Sequence, residues 1–209
     1  MYITGWKSAG IALGTLSGVA IFLSALAAPP NPTPGQAPAA GIEVSLDPAQ
    51  SKVHYTVDTT LHTVHGTFNV KSGAITFDPA GGKASGEVVV FASSGDSGNS
   101  SRDARMHKEI LETEKYPDAI FRPTQVEGAV APSGGSDVKV HGTINVHGQD
   151  HEIVALVHAD MTADHWKGTA KFAVPYIQWG IKDPSNWILK VKPVVNIELD
   201  MAGTAKASH

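Results

Sequence analysis

From Val64 onward the chain alternates apolar and polar residues with period two. Val64, Gly66, Phe68 and Val70 fall on one side of an extended segment, with His65, Thr67, Asn69 and Lys71 on the other. A strand with one apolar face must bury that face against others of its kind, so this pattern constrains the fold more than any other feature. At Ser72-Gly73 the parity slips by one, and Ile75 and Phe77 take over the apolar side. A slip at glycine inside a long strand predicts a β-bulge, which lets a sheet coil without turning its inner face outward. The stretch from Thr60 to Asp78 therefore reads as one long, bent strand.

The same one-sided pattern recurs along the chain. Gly41 to Leu46 is a short strand closed by Asp47-Pro48, and in Ser51 to Asp58 the residues Val53, Tyr55 and Val57 share a face. Gly86 to Phe91 is apolar on both faces, which predicts cover on its outer side too. Ser93 to Ser101 reads as a polar loop, and Ser100-x-x-Asp103 as a capping signature for a short helix running to about Glu114. Met106, Ile110 and Leu111 form its apolar side, so it is expected at one end or flank of the sheet.

Extended structure resumes at Asp118 to Glu127, where Pro123 implies a bulge or an edge. Val138 to Val146 alternates, His147 to His151 makes a tight hairpin, and Glu152 to Asp160, His165 to Val174 and Lys190 to Met201 complete the set. Pro175 to Asn186 breaks the rhythm. About eight strands, one-sided and joined by short connections, fit a closed antiparallel barrel or a sandwich. Strand length favours the all-β barrel, with one short helix between strands four and five.

Residues 1–27 carry Lys7, an uncharged apolar run and Ala25-Leu-Ala27, the pattern of a cleaved signal peptide, with an uncleaved anchor as the alternative. Residues 28–41 are a proline-rich linker, extended at about 3.1 Å per residue. The domain occupies 42–203, and 204–209 reads as a polar tail. Export implies a periplasmic location. The chain has no cysteine, which excludes disulfides and thiolate chemistry. Its net charge of −4 comes without any basic cluster, which argues against a nucleic-acid partner.

No nucleophile elbow, phosphate loop or dinucleotide fingerprint is present, so neither catalysis nor a cofactor is expected. Asp103 and His107 stand at helical i, i+4 spacing, which is more often an exposed ion pair than an orienter and base. The ten histidines raise the alternative of a metal-binding module built on His141, His147 or His151, with His158 on the same polar face. His62 and His65, three apart on a strand, point to opposite sides.

The markers Leu61-His62 with Gly66-Thr-Phe68, Gly73-x-Ile75-x-Phe77-Asp78, Arg102-Asp103, Tyr116-Pro117 with Phe121, and Gly142-Thr-Ile144-Asn-Val146-His-Gly148 follow one another in the chain. In order and spacing they resemble the YceI-like family of bacterial periplasmic lipid-binding domains, over roughly Val44 to Gly203. Thr-Ile-Asn-Val stands where that family more usually has Leu-Thr-Ile, and Tyr176 to Trp187 looks like a subgroup feature. The resemblance implies an extended, lipocalin-like antiparallel barrel that holds a polyisoprenoid or fatty-acyl lipid in an elongated apolar cavity. The resemblance further implies a homodimer as a partner to test, and a separate reading has the Tyr176 to Trp187 insert dock a membrane partner in transient contact. The expected cavity wall is Tyr55, Phe68, Phe77, Phe91, Phe121, Ile144, Phe172, Trp179, Trp187 and Ile197. About ten buried methylenes at ~0.8 kcal/mol each would contribute roughly 8 kcal/mol to holding such a chain, before ordering costs.

Overall fold

The computed structural model describes residues 41–208. The expected leader, and the linker up to Gly41, lie outside the described residues. Nine strands form one antiparallel sheet: β1 (Gly41–Leu46), β2 (Lys52–Thr59), β3 (Thr63–Phe77), β4 (Gly82–Asp96), β5 (Asp118–Glu127), β6 (Gly134–Val146), β7 (Gln149–Met161), β8 (His165–Val174) and β9 (Val191–Ser208). Each strand from β2 to β9 pairs with the next in sequence, and β9 pairs back with β2, so eight of them close a ring. The fold is the expected barrel rather than a sandwich.

The ninth strand is half of a broken one. β1 pairs with β3 at Ala74 to Phe77 and with β9 at Gly203 to Ser208. β2 pairs with the same two neighbours farther along, at Thr63 to Asn69 and at Val191 to Asp200. The two pieces run in line between β3 and β9, separated by the turn at Asp47-Pro48. Ser51 bridges the gap. It is a buried polar residue whose hydroxyl donates to the Ala202 carbonyl (3.3 Å) and accepts from the Ala202 N–H (3.2 Å), while Asp47 N–H donates to the same carbonyl (2.8 Å). The backbone groups of Ala202 that lack a strand partner are thereby satisfied.

The bulge in β3 falls one residue before the parity slip at Ser72-Gly73. The register against β4 shifts between Val70 and Ser72, so Lys71 is the extra residue and the apolar set passes from Val70 to Ile75 and Phe77. Pro123 also lies at a register shift, between Pro123 and Gln125. Two expectations are corrected here. β9 runs to Ser208, so Thr204 to Ser208 is strand and not tail: its alternation of Ala205 and Ala207 with polar residues is too weakly apolar to stand out in sequence. The helix is also shorter than expected.

α1 covers only Ser100–Arg105 and passes into a single π-helical turn, Met106–Ile110. Its N-cap is Asn99, whose side chain accepts from Arg102 N–H (3.0 Å), and not Ser100. Asp103 instead accepts from the backbone N–H and hydroxyl of Ser97. The helical run ends before Glu112, which takes a left-handed φ of 46°.

Strand direction gives the barrel two unlike ends. The 78–81 and 128–133 connections share one end, tied by Val130 N–H to the Pro79 carbonyl (2.8 Å). Val44, Phe77, Val130, Met161 and Trp166 pack together there as a floor. The opposite end carries the 60–62 turn, the helical excursion, the His147-Gly148 hairpin and the 175–190 segment.

Candidate functional site: an apolar cavity with a polar mouth

A cavity of about 570 Å³ runs down the barrel, a size typical of small-molecule sites. Its wall is built by the inward parity of every strand. On β3 the residues are Val64, Phe68, Ile75 and Phe77, on β4 Val88, Val90 and Ala92, and on β9 Val191, Val195, Ile197, Leu199 and Met201. Of the expected wall residues, Tyr55, Phe68, Phe77, Phe121, Ile144, Phe172 and Ile197 line this space. The Tyr55 and Phe68 rings contact each other, with centroids 5.3 Å apart.

Three expected wall residues lie elsewhere. Phe91 is half-exposed on the outer face, with the Lys71 ammonium 5.0 Å from its ring centre. In β4 both faces are apolar, so sequence alone did not decide which parity points inward; Val88 and Val90 do. Trp179 stacks on His151 at the rim, 4.2 Å between ring centres and 3° from parallel. Trp187 points outward, 88% exposed. Both tryptophans belong to the 175–190 segment, which has no strand period to orient them.

Two wall glycines have a steric reason. Gly66 faces Tyr55 across β2 and β3, and a Cβ there would clash with the edge of the Tyr55 ring and with the Asp96 carbonyl. A Cβ at Gly142 would likewise meet the Phe121 ring and the Arg122 carbonyl. Each glycine lets an aromatic ring lie flat along the strand, which shapes the wall.

The polar contributors to the wall sit at the mouth end. Thr59 and His62 come from the β2–β3 turn, Arg102 and Arg105 from α1, and Tyr176 from the 175–190 segment. Sequence reasoning missed all of these as wall residues, together with Met161 and Trp166 at the floor. Arg102 is held in place by Ser97, its Nε donating to the hydroxyl (2.7 Å) and its Nη2 to the carbonyl (2.7 Å). Met106, Ile110 and Leu111 turn their side chains into the cavity, so the helical excursion roofs the opening instead of covering the outside of β4. Burial, aided by the nearby Asp183 carboxylate, pushes the Tyr176 phenol up to about 12.

The histidines disperse. His141 pairs with Glu127 (3.0 Å) and His158 with Asp137 (2.8 Å), the latter raised in pKa by that hydrogen bond and charge. His147 packs on the Tyr116 ring, with centres 4.5 Å apart. The hairpin at His147-Gly148 is a two-residue turn with φ of 55° and 76°, and its register sets His151 opposite Ile144, so His147 and His151 are not cross-strand partners. Among the described residues no three His, Asp or Glu side chains gather in a way that would hold a metal ion. Asp103 and His107 turn to different partners, Ser97 and the Gly95 carbonyl (3.0 Å).

The family model of the YceI-like domain matches residues 45–202. Solved structures share the fold. A polyisoprenoid binding domain from Saccharophagus degradans, implicated in plant cell wall breakdown, matches with a TM-score of 0.57 at 16% identity, over 78% of this chain and 98% of that one. Burkholderia cenocepacia BcnA matches with a TM-score of 0.63 at 18% identity, over 76% and 99%. The Campylobacter jejuni YCEI protein matches with a TM-score of 0.53 at 19% identity, over 66% and 84%. No curated protein matches the sequence.

Proposed function

Since the chain belongs to the family of YceI-like domains, we propose that it is a binding protein, not an enzyme, and carries a polyisoprenoid or other long-chain amphiphile in its barrel. The observation that carries this reading is the asymmetry of the cavity. A long apolar wall closed by a packed floor suits a hydrocarbon tail, and the groups at the mouth suit a polar head. Burial of the tail supplies the driving force, and the mouth groups fix its direction. The S. degradans domain, described as polyisoprenoid binding, supports the ligand class.

We further propose that the protein works in the periplasm. The apolar run before Ala25-Leu-Ala27 supports export, and an exported prenyl or acyl chain needs shielding from water. A fusion to alkaline phosphatase should be active outside the cytoplasm; an inactive fusion removes the periplasmic reading.

Native mass spectrometry of the purified protein, before and after organic extraction, tests the ligand. The expected result is an amphiphile released by extraction and regained from a prenyl quinone or a fatty amide. Protein that arrives empty and takes up neither would overturn the carrier reading.

A further inference from the structure

Three large apolar side chains stand exposed together at the mouth: Leu61 at 69%, Trp187 at 88% and Ile188 at 59%. Leu61 tips the β2–β3 turn. Trp187 and Ile188 tip a tight turn in which Asn186 N–H donates to the Leu189 carbonyl (2.9 Å), while the Asn186 side chain accepts from Ile188 N–H (2.9 Å) and Leu189 N–H (2.7 Å). The two turns are tied to each other. Thr60 N–H donates to the Lys190 carbonyl (2.9 Å), and Lys190 N–H donates to the Thr60 hydroxyl (3.3 Å). They form one apolar tip held by hydrogen bonds, not two wandering loops.

This tip is continuous with the cavity. Thr59 and His62 flank Leu61, Leu189 and Val191 follow Ile188, and all four line the cavity wall. Lys190 and Lys192 follow the same turn and are exposed; among the described residues neither makes a direct ion pair, although the Asp183 carboxylate lies within electrostatic reach of Lys190. An exposed indole beside aliphatic tips, with the exposed ammonium groups of Lys190 and Lys192 just behind, matches the layering of a bilayer surface: acyl region, interface, anionic headgroups.

We propose that Leu61, Trp187 and Ile188 form a docking tip for an anionic lipid bilayer, set at the rim so that an amphiphile passes between membrane and cavity without crossing open water. This rests on the carrier reading for its purpose, but not for its test.

The full chain is mixed with vesicles of phosphatidylcholine, alone or with phosphatidylglycerol, each prepared with and without brominated acyl chains. Tryptophan quenching is scored only as the part that disappears in Trp187→Phe, so adsorption through any other part of the chain does not count. Trp187 is expected to be quenched several-fold more by phosphatidylglycerol vesicles than by neutral ones, with the difference shrinking as salt rises. A Leu61→Ser/Trp187→Ser/Ile188→Ser variant should take up prenyl quinone from those vesicles roughly tenfold more slowly, yet reach the same occupancy. Absence of Trp187 quenching, equal quenching by both vesicle types, or an unchanged uptake rate would each overturn the proposal. If Trp187 is quenched but the wild-type protein holds no amphiphile, docking stands and the carrier reading falls.

Discussion

At the scale of single residues, the barrel interior is specified by what is missing as much as by what is present. Gly66 reads in sequence as a neutral gap in an apolar face, yet it is the place where the Tyr55 ring lies. Gly66→Val should destabilise the fold by about 1–3 kcal/mol through overpacking, measured by urea unfolding, and should displace Tyr55 from Phe68. Tyr176 makes a second case. Its neutral phenol is favoured by the fold, so the stability it contributes is whole below pH 10 and is lost as pH rises toward its raised value of about 12. Thermal melts across pH 10 to 12 should fall less steeply for Tyr176→Phe than for the wild type; parallel slopes would place the alkaline loss elsewhere. Neither role is legible in the one-dimensional pattern: Gly66 makes room for a ring brought from β2, and the burial of Tyr176 exists only once the barrel has closed.

At the scale of elements, period-two alternation carried most of the information. It located β2, β3, β6 and the start of β9, and its slip at Ser72-Gly73 anticipated the bulge that falls at Lys71, while the irregularity after Pro123 was signalled by the proline itself. It lost its power where both faces are apolar, as around Phe91, and where neither is, as from Thr204 to Ser208. The 175–190 segment has no period at all, so nothing in the pattern tells that Trp179 packs on His151 and Trp187 faces out instead of lining the wall. The break between β1 and β2 was visible as the Asp47-Pro48 turn, but the collinearity of the two pieces was not, since it is fixed by β3 and β9. Ser51 is the device that closes this break. Ser51→Ala leaves the Ala202 N–H without its partner and should cost about 1–3 kcal/mol. Faster amide exchange at Ala202, with β5 to β7 unchanged, would locate the effect; no stability change would mean that the break closes itself.

For the whole molecule, a barrel that keeps about 570 Å³ of space inside forgoes contacts that a filled core would make. A ligand in that space restores them and binds only the folded state. Extracted protein should therefore melt lower than protein as isolated. Adding a prenyl quinone at about 100 times its dissociation constant should return ~2.7 kcal/mol of stability. Equal melting before and after extraction would mean that the cavity is not an occupied site. The family resemblance and the one-sided strands made the barrel readable from the chain. The division of the cavity into floor and mouth was not readable, because it depends on which loops the up-and-down order of strands brings to the same end.

The terminal strands also decide how the barrel responds to being pulled. Gly41 pairs with Ser208, so the chain enters and leaves the domain side by side at the floor. Tension applied between the two ends would peel β1 from β9 one hydrogen-bonded pair at a time, instead of loading all the pairs in parallel as shear between the strands would. In a pulling experiment the molecule should yield first at this seam, at low force. The opening at the far end would carry none of that load until the stave had come away.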